Sequence, residues 1–78
     1  MERNAQEELK AHLMETNDEF RALAGQHSQY ARELEALEAR SHLTYDEQME
    51  ETRLKKMKLR LKDQMEAILK HYRSQQVA

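Results

Sequence analysis

The sequence predicts an all-α fold, an antiparallel two-helix coiled-coil hairpin with helices over about 5–40 and about 45–73. The chain has one glycine and no proline, so it lacks the turn residues that β-sheet proteins need at regular intervals. Apolar residues recur at helical spacing through most of the 78 residues. A helix-start signal near residue 44 interrupts that pattern and indicates a turn between two helices.

The first helix is predicted by positions separated by alternating steps of four and three residues. This spacing keeps one stripe of a helix, here called the seam, facing a partner helix. Asn4 is a candidate N-cap, and the pattern stops near Arg40. Gly25 leaves two alternatives, a continuous helix or a bend into two shorter ones, and the unbroken phase around it favours continuity. The seam positions are Leu9, Leu13, Thr16, Phe20, Leu23, His27, Tyr30, Leu34, Leu37 and Ser41.

The second helix is predicted to begin with a capping box. Thr44 supplies the N-cap oxygen, and Glu47, three residues later, can reach back to the backbone N–H of Thr44. Asp46 and Glu47 also suit the positive end of the helix dipole. We expect the polar tail after Arg73 to fray. A second apolar stripe follows at Leu54, Met57 or Lys58, Leu61, Met65, Ile68 and Tyr72.

Folding the chain at this capping box aligns the two stripes layer by layer. Phe20 then lies opposite Met65, and His27 lies beside Met57 and Lys58. A single seam between two helices leaves its side chains half covered, so we expect two hairpins to associate into a four-helix bundle. Leu59 points away from the seam, which fits a second apolar contact or an isolated exposed leucine equally well.

Composition limits the class of protein. The net charge is -2, which by itself predicts no polyanionic partner. The absence of cysteine excludes disulfides and thiolate metal sites. No apolar run approaches the ~20 residues that span a bilayer, and none near Met1 resembles a secretory signal. We therefore expect one cytoplasmic domain over residues 1–78 that does not enter a membrane.

The densest charge lies in the basic run, residues 53–62, which can contact phosphate or form a solvated helix face. It lacks aromatic residues that would stack on bases, which favours the solvated face. Residues 33–51 carry seven acidic residues and one arginine. The basic run therefore also suits an acidic protein partner or the acidic segment of a second copy. Its cations are Arg53, Lys55, Lys56, Lys58, Arg60 and Lys62.

Polar residues on the seam are candidates for specificity. His27 and Thr16 occupy positions where an apolar residue is expected, and such residues often fix register or partner choice. His12 and His71 approach each other across the hairpin, but a metal site needs further ligands held in place by neighbouring groups. No constellation predicts catalysis, a cofactor or a metal, so we expect a protein that is not an enzyme.

The chain resembles the YdcH-like family of small bacterial proteins, a family grouped as a domain of unknown function. The resemblance rests on Phe20, Leu23, His27 and Tyr30, on the corner formed by Leu43, Thr44 and Glu47, and above all on residues 53–63. It implies a bacterial cytoplasmic helical hairpin that tends to oligomerise, and it brings no catalytic residues. We therefore expect a self-associating protein-interaction module, a dimer or tetramer. The alternative is a nucleic-acid-binding protein that uses the basic run.

Overall fold

The computed structural model describes residues 5–76 and places three α-helices there, α1 (Ala5–Thr16), α2 (Asp18–Glu38) and α3 (Tyr45–Gln76). No strand occurs in this range, which confirms the all-α prediction. The two-helix hairpin was wrong, because the predicted first helix is divided at Asn17 and ends at Glu38. The second helix also ends later than the predicted residue 73, since α3 continues to Gln76. The candidate N-cap Asn4 lies outside the described residues.

The division at Asn17 arises because Asn17 caps a new helix. Its backbone is extended, with φ -118° and ψ 108°, and its side-chain oxygen accepts a hydrogen bond from the backbone N–H of Phe20. On the other side of the break, the Arg21 guanidinium donates to the carbonyl oxygens of Met14, at 2.8 Å, and Glu15, at 2.9 Å. Backbone groups left open by the break therefore have hydrogen-bond partners on both sides. These bonds offset the free-energy cost of interrupting the helix.

The break removes Thr16 from the seam. Its side chain is exposed, and its hydroxyl donates to the carbonyl oxygen of His12 in the preceding turn. The extended backbone of Asn17 separates α1 from α2, and Lys10 of α1 lines the same groove as His27 of α2. Thr16 therefore lies outside the buried stripe, and its role in fixing register stays a prediction.

Helices α2 and α3 are antiparallel, as predicted. Near the turn, the Lys55 ammonium lies 3.9 Å from the Glu38 carboxylate. At the other end, Met65 packs against the cluster that contains Phe20. Gly25 lies inside α2, so the helix continues through it, and a Cβ added there would meet no atom within 4 Å.

The main core lies where the three helices meet. Its buried members are Leu9, Leu13, Phe20 and Leu69, and each is at most 5% exposed. Half-buried Met65, Ile68 and Tyr72 pack around them. Toward the turn, only Leu34, Leu54 and Leu61 are buried among the described residues. The fold is therefore best packed where α1 meets α2 and α3. Fewer side chains are buried near the turn between α2 and α3.

The predicted capping box at the start of α3 is confirmed. The Glu47 carboxylate accepts from the backbone N–H of Thr44 at 2.9 Å, and the Thr44 hydroxyl oxygen accepts from the backbone N–H of Glu47 at 3.1 Å. The Arg40 guanidinium also donates to Glu47. The connection between α2 and α3 is therefore fixed by both charge and backbone hydrogen bonds.

These contacts make the stability of the turn depend on pH. The Thr44 N–H, and then the Arg40 guanidinium, hold the pKa of the Glu47 carboxyl below its ordinary value of 4.5. A carboxyl whose pKa falls on folding stabilises the protein above its unfolded pKa, and that contribution is lost as the pH falls through the folded value. We expect Glu47→Gln, which keeps the capping-box geometry without the charge, to lower the melting temperature at about pH 7, and this deficit should shrink as the pH is lowered toward about 3.

The matched control for this prediction is Glu33→Gln, because Glu33 is an exposed carboxylate in α2 with no place in the turn. Thermal unfolding followed by circular dichroism between these pH values provides the measurement. A Glu47→Gln deficit that stays constant across the range would show that the charge of Glu47 does not contribute.

Candidate functional site

One groove has a volume of about 470 Å³ and is bordered by all three helices. Its apolar walls include Leu34, Leu59, Met65 and Leu69. Four lysine side chains surround these walls, together with His27 and Glu66. The lysines are Lys10, Lys55, Lys58 and Lys62.

Helical spacing explains why three of these lysines meet in the groove. Lys55, Lys58 and Lys62 follow one another by three and four residues, so they lie on one face of α3. Lys10 of α1 lines the same groove from the other side of the break at Asn17. The groove therefore combines an apolar floor with a ring of positive charge, an arrangement that suits an acidic, amphipathic ligand.

The remaining cations of the basic run do not line this groove. Lys56 and Arg60 are exposed and four residues apart, on another side of α3. Arg53 grips Glu50 through its Nε, at 3.1 Å from Oε2, and through Nη2, at 2.5 Å from Oε1. The predicted set of six cations is therefore split between two faces of one helix and does not form a single surface.

Arg53 and Glu50 each stabilise the charged form of the other. The hydrogen bond from Arg53 lowers the pKa of the Glu50 carboxyl, and the Glu50 carboxylate raises the pKa of Arg53. A smaller contribution to Arg53 comes from Tyr30 across the hairpin. Arg53 is thus already matched by a carboxylate of its own chain, and a phosphate would have to compete with that carboxylate.

His27 is half-buried and lies at the groove together with Lys58, where the register predicted it. Its ring makes no hydrogen bond to any residue in the described range. A polar ring at the edge of an apolar groove can bond to a ligand as well as to a neighbouring helix. Its role in fixing register or partner choice stays a prediction.

The other histidine pair forms no comparable site. The His71 ring lies 5.5 Å from the Tyr72 ring in an edge-to-face arrangement, and its Nε2 lies 3.2 Å from the side-chain nitrogen of Gln75. Across residues 5–76, no group of three or more metal-ligating side chains is close enough together to hold an ion. A second cavity of about 440 Å³ lies beside Asn17, Ile68 and Tyr72.

Sequence reasoning missed Lys10 as part of the groove. The signal was present, because Asn17 is followed by Asp18 and Glu19, an N-cap and two acidic residues in a first helical turn. The uninterrupted seam spacing concealed it. Thr16 lies four positions before Phe20, so its spacing fits a continuous stripe, although α1 ends at Thr16.

A known protein family matches the part of the chain that forms α2 and α3. Residues 20–69 match the family model described as Protein of unknown function (DUF465). The chain belongs to this family. YdcH-like proteins belong to it as well, which confirms the resemblance. The matched residues of DUF465 cover most of α2 and α3, whereas α1, which supplies Lys10, precedes them.

No curated protein and no solved structure matches this DUF465 chain. Within the described residues, no helix has the length and apolar character needed to cross a membrane.

Proposed function

We propose that this chain is a non-enzymatic protein-interaction module that self-associates and receives an acidic helical segment of a partner protein in its lysine-lined groove. The groove is the observation that carries the proposal. Four lysines and one glutamate surround an apolar floor there. An amphipathic helix with acidic flanks meets both requirements, since its apolar stripe covers the floor and its carboxylates reach the lysines.

The split of the basic run favours this proposal over nucleic-acid binding. A phosphate backbone needs cations along one continuous surface. Lys58 and Lys62 lie in the groove, whereas Lys56 and Arg60 do not. Arg53 is bound to Glu50. Nucleic-acid binding through residues 53–62 is therefore kept as an outcome of the test.

The test measures binding of a fluorescent peptide of about 20 residues with leucine and glutamate in a helical amphipathic pattern. A peptide of the same composition in scrambled order is the ligand control. We expect Lys58→Glu with Lys62→Glu to weaken peptide binding by at least about ten-fold. The matched variant, Lys56→Glu with Arg60→Glu, carries the same charge change on the other face and should alter the affinity by less than about two-fold.

Two results would overturn the groove as the site. One is a peptide that fails to bind or binds no better than its scrambled form. The other is an equal loss in both double variants, together with tight binding of a DNA duplex at about 50 mM salt, which would favour the nucleic-acid alternative. Far-UV circular dichroism of each variant verifies that the helices persist.

Self-association is the second part of the proposal. A four-helix bundle no longer applies because each chain contributes three helices, so a dimer would contain six. The support is the exposed apolar surface, which includes Leu59 at 60% exposed and Met49 at 56% exposed. Light scattering during size exclusion should give about twice the chain mass of 9.3 kDa. A mass of one chain at every concentration would contradict self-association.

A further inference from the structure

A second stripe runs along the outer side of α3, away from the core. Its positions are separated by steps of four and three residues, the same alternation that marks a coiled-coil seam. Each of them is exposed, and they include three of the most exposed large apolar side chains, Tyr45 at 75%, Leu59 at 60% and Met49 at 56%. We call this stripe the outer seam. Its members are Tyr45, Met49, Thr52, Lys56, Leu59 and Asp63.

The outer seam matches itself when it is reversed about residue 54. Met49 of one copy then faces Leu59 of the other, and this apolar contact occurs twice by symmetry. Tyr45 faces Asp63, so that a phenolic O–H can donate to a carboxylate. The paired segment spans about 27 Å of helix.

Charges on the border of the outer seam agree with this register. These residues flank the outer seam and do not lie on it. On the same side of the two helices, Asp46 of one copy lies beside Arg60 of the other, again twice. Both side chains are exposed, and within the described residues neither makes an ion pair or a side-chain hydrogen bond. Near the two-fold axis, where like residues approach each other, Arg53 is held by Glu50 and Lys55 lies near Glu38. Own-chain carboxylates thus offset the repulsion expected there.

We propose that two copies of this chain pair through the outer seam, with α3 antiparallel to its partner and the two-fold axis near residue 54. The inference deepens the proposed self-association and rests on it, since it names the surface and the register. Isologous pairing of this kind closes as a dimer and leaves no repeat for a filament. Leu59 and Lys55 lie at the edge of both surfaces, so Lys10, Lys58, Lys62 and the remaining floor of the groove stay open in the pair.

A charge exchange between copies tests the register. Asp46→Arg places two arginines against each other at both borders, and Arg60→Asp does the same with two aspartates. We expect each variant alone to weaken the dimer by at least about ten-fold, measured by light scattering over a concentration series. An equimolar mixture of the two variants restores both opposite-charge pairs, so the mixture should form a dimer.

Cysteine pairs test the register independently, because the natural chain has no cysteine. Met49→Cys and Leu59→Cys, placed on separate chains and mixed under oxidation, should form a disulfide between chains. Either variant alone should not, since like positions lie about 15 Å apart along the axis in this register. The matched control mixes Leu59→Cys with Lys70→Cys, an exposed position of α3 beyond the paired segment, and should give no disulfide.

The mass of the unmodified chain distinguishes a failure of self-association from a failure of the outer seam. A single-chain mass would contradict both the proposed self-association and the outer seam. A dimer whose mass is unchanged by Asp46→Arg and Arg60→Asp, and which forms no disulfide between residues 49 and 59, would overturn the outer seam alone.

Discussion

Phe20→Ala should remove a large part of the stability of the fold. Phe20 is 1% exposed and lies in the cluster formed with Leu9, Leu13 and Leu69. Removing a buried phenyl ring costs about 3–5 kcal/mol, since apolar burial is lost and a cavity remains. A chain of this length has on the order of 4–12 kcal/mol in total. Urea unfolding followed by circular dichroism should therefore show a strongly reduced midpoint.

Two variants make this prediction specific. Phe20→Leu retains much of the apolar volume and should lose less than half as much stability. Met14→Ala shortens a side chain that is 41% exposed, in α1 beside the same core, and should have little effect. If Phe20→Ala cost no more than Met14→Ala, the junction of the three helices would not be the main core.

Asn17→Ala should produce the second largest loss, about 2 kcal/mol, because Asn17 makes two different contacts. Its side-chain oxygen accepts from the Phe20 N–H at 2.8 Å. Its amide nitrogen donates to the Tyr72 hydroxyl at 3.2 Å and so ties the break to α3. Losing an N-cap costs about 1 kcal/mol, and a typical hydrogen bond adds about 1 kcal/mol.

A double-mutant cycle separates the two contacts. Asn17→Asp keeps a cap acceptor and removes the amide donor, whereas Tyr72→Phe removes only the hydroxyl. If both atoms contribute as described, Asn17→Ala should cost more than Asn17→Asp, and Tyr72→Phe should have less effect in the Asn17→Ala background. Equal stability of Asn17→Ala and the unmodified chain would show that the break does not depend on this residue.

The start of α3 and its antiparallel pairing with α2 could be predicted from local signals. The capping box at Thr44 and Glu47 combines side-chain chemistry with spacing, and both of its hydrogen bonds are present. The antiparallel pairing followed from the short connection between α2 and α3. The break at Asn17 was missed because a seam spacing reports only which residues share a stripe. It does not report whether the backbone between them stays helical, and that depends on whether a cap and Arg21 satisfy the open backbone groups.

The part of the candidate site that lies on α3 could be predicted from spacing, whereas the contribution of α1 could not. Lys55, Lys58 and Lys62 are near neighbours on one helix, so their spacing alone places them together. Lys10 belongs to α1, so no spacing within α3 predicts that it lines the same groove. The pairing of Arg53 with Glu50 follows from a spacing of three residues. The sequence alone therefore indicates that this arginine has a carboxylate partner that competes with phosphate.

The most direct test of the central claim, that the groove receives an acidic helix, is titration of the ¹⁵N-labelled chain with the acidic amphipathic peptide, followed by NMR. We expect the largest chemical-shift changes at Lys10, His27, Lys58, Lys62 and Met65, because these residues line the groove. Lys56 and Arg60 should shift far less. Changes concentrated at Arg53, Lys56 and Arg60, or no changes at saturating peptide, would contradict the claim.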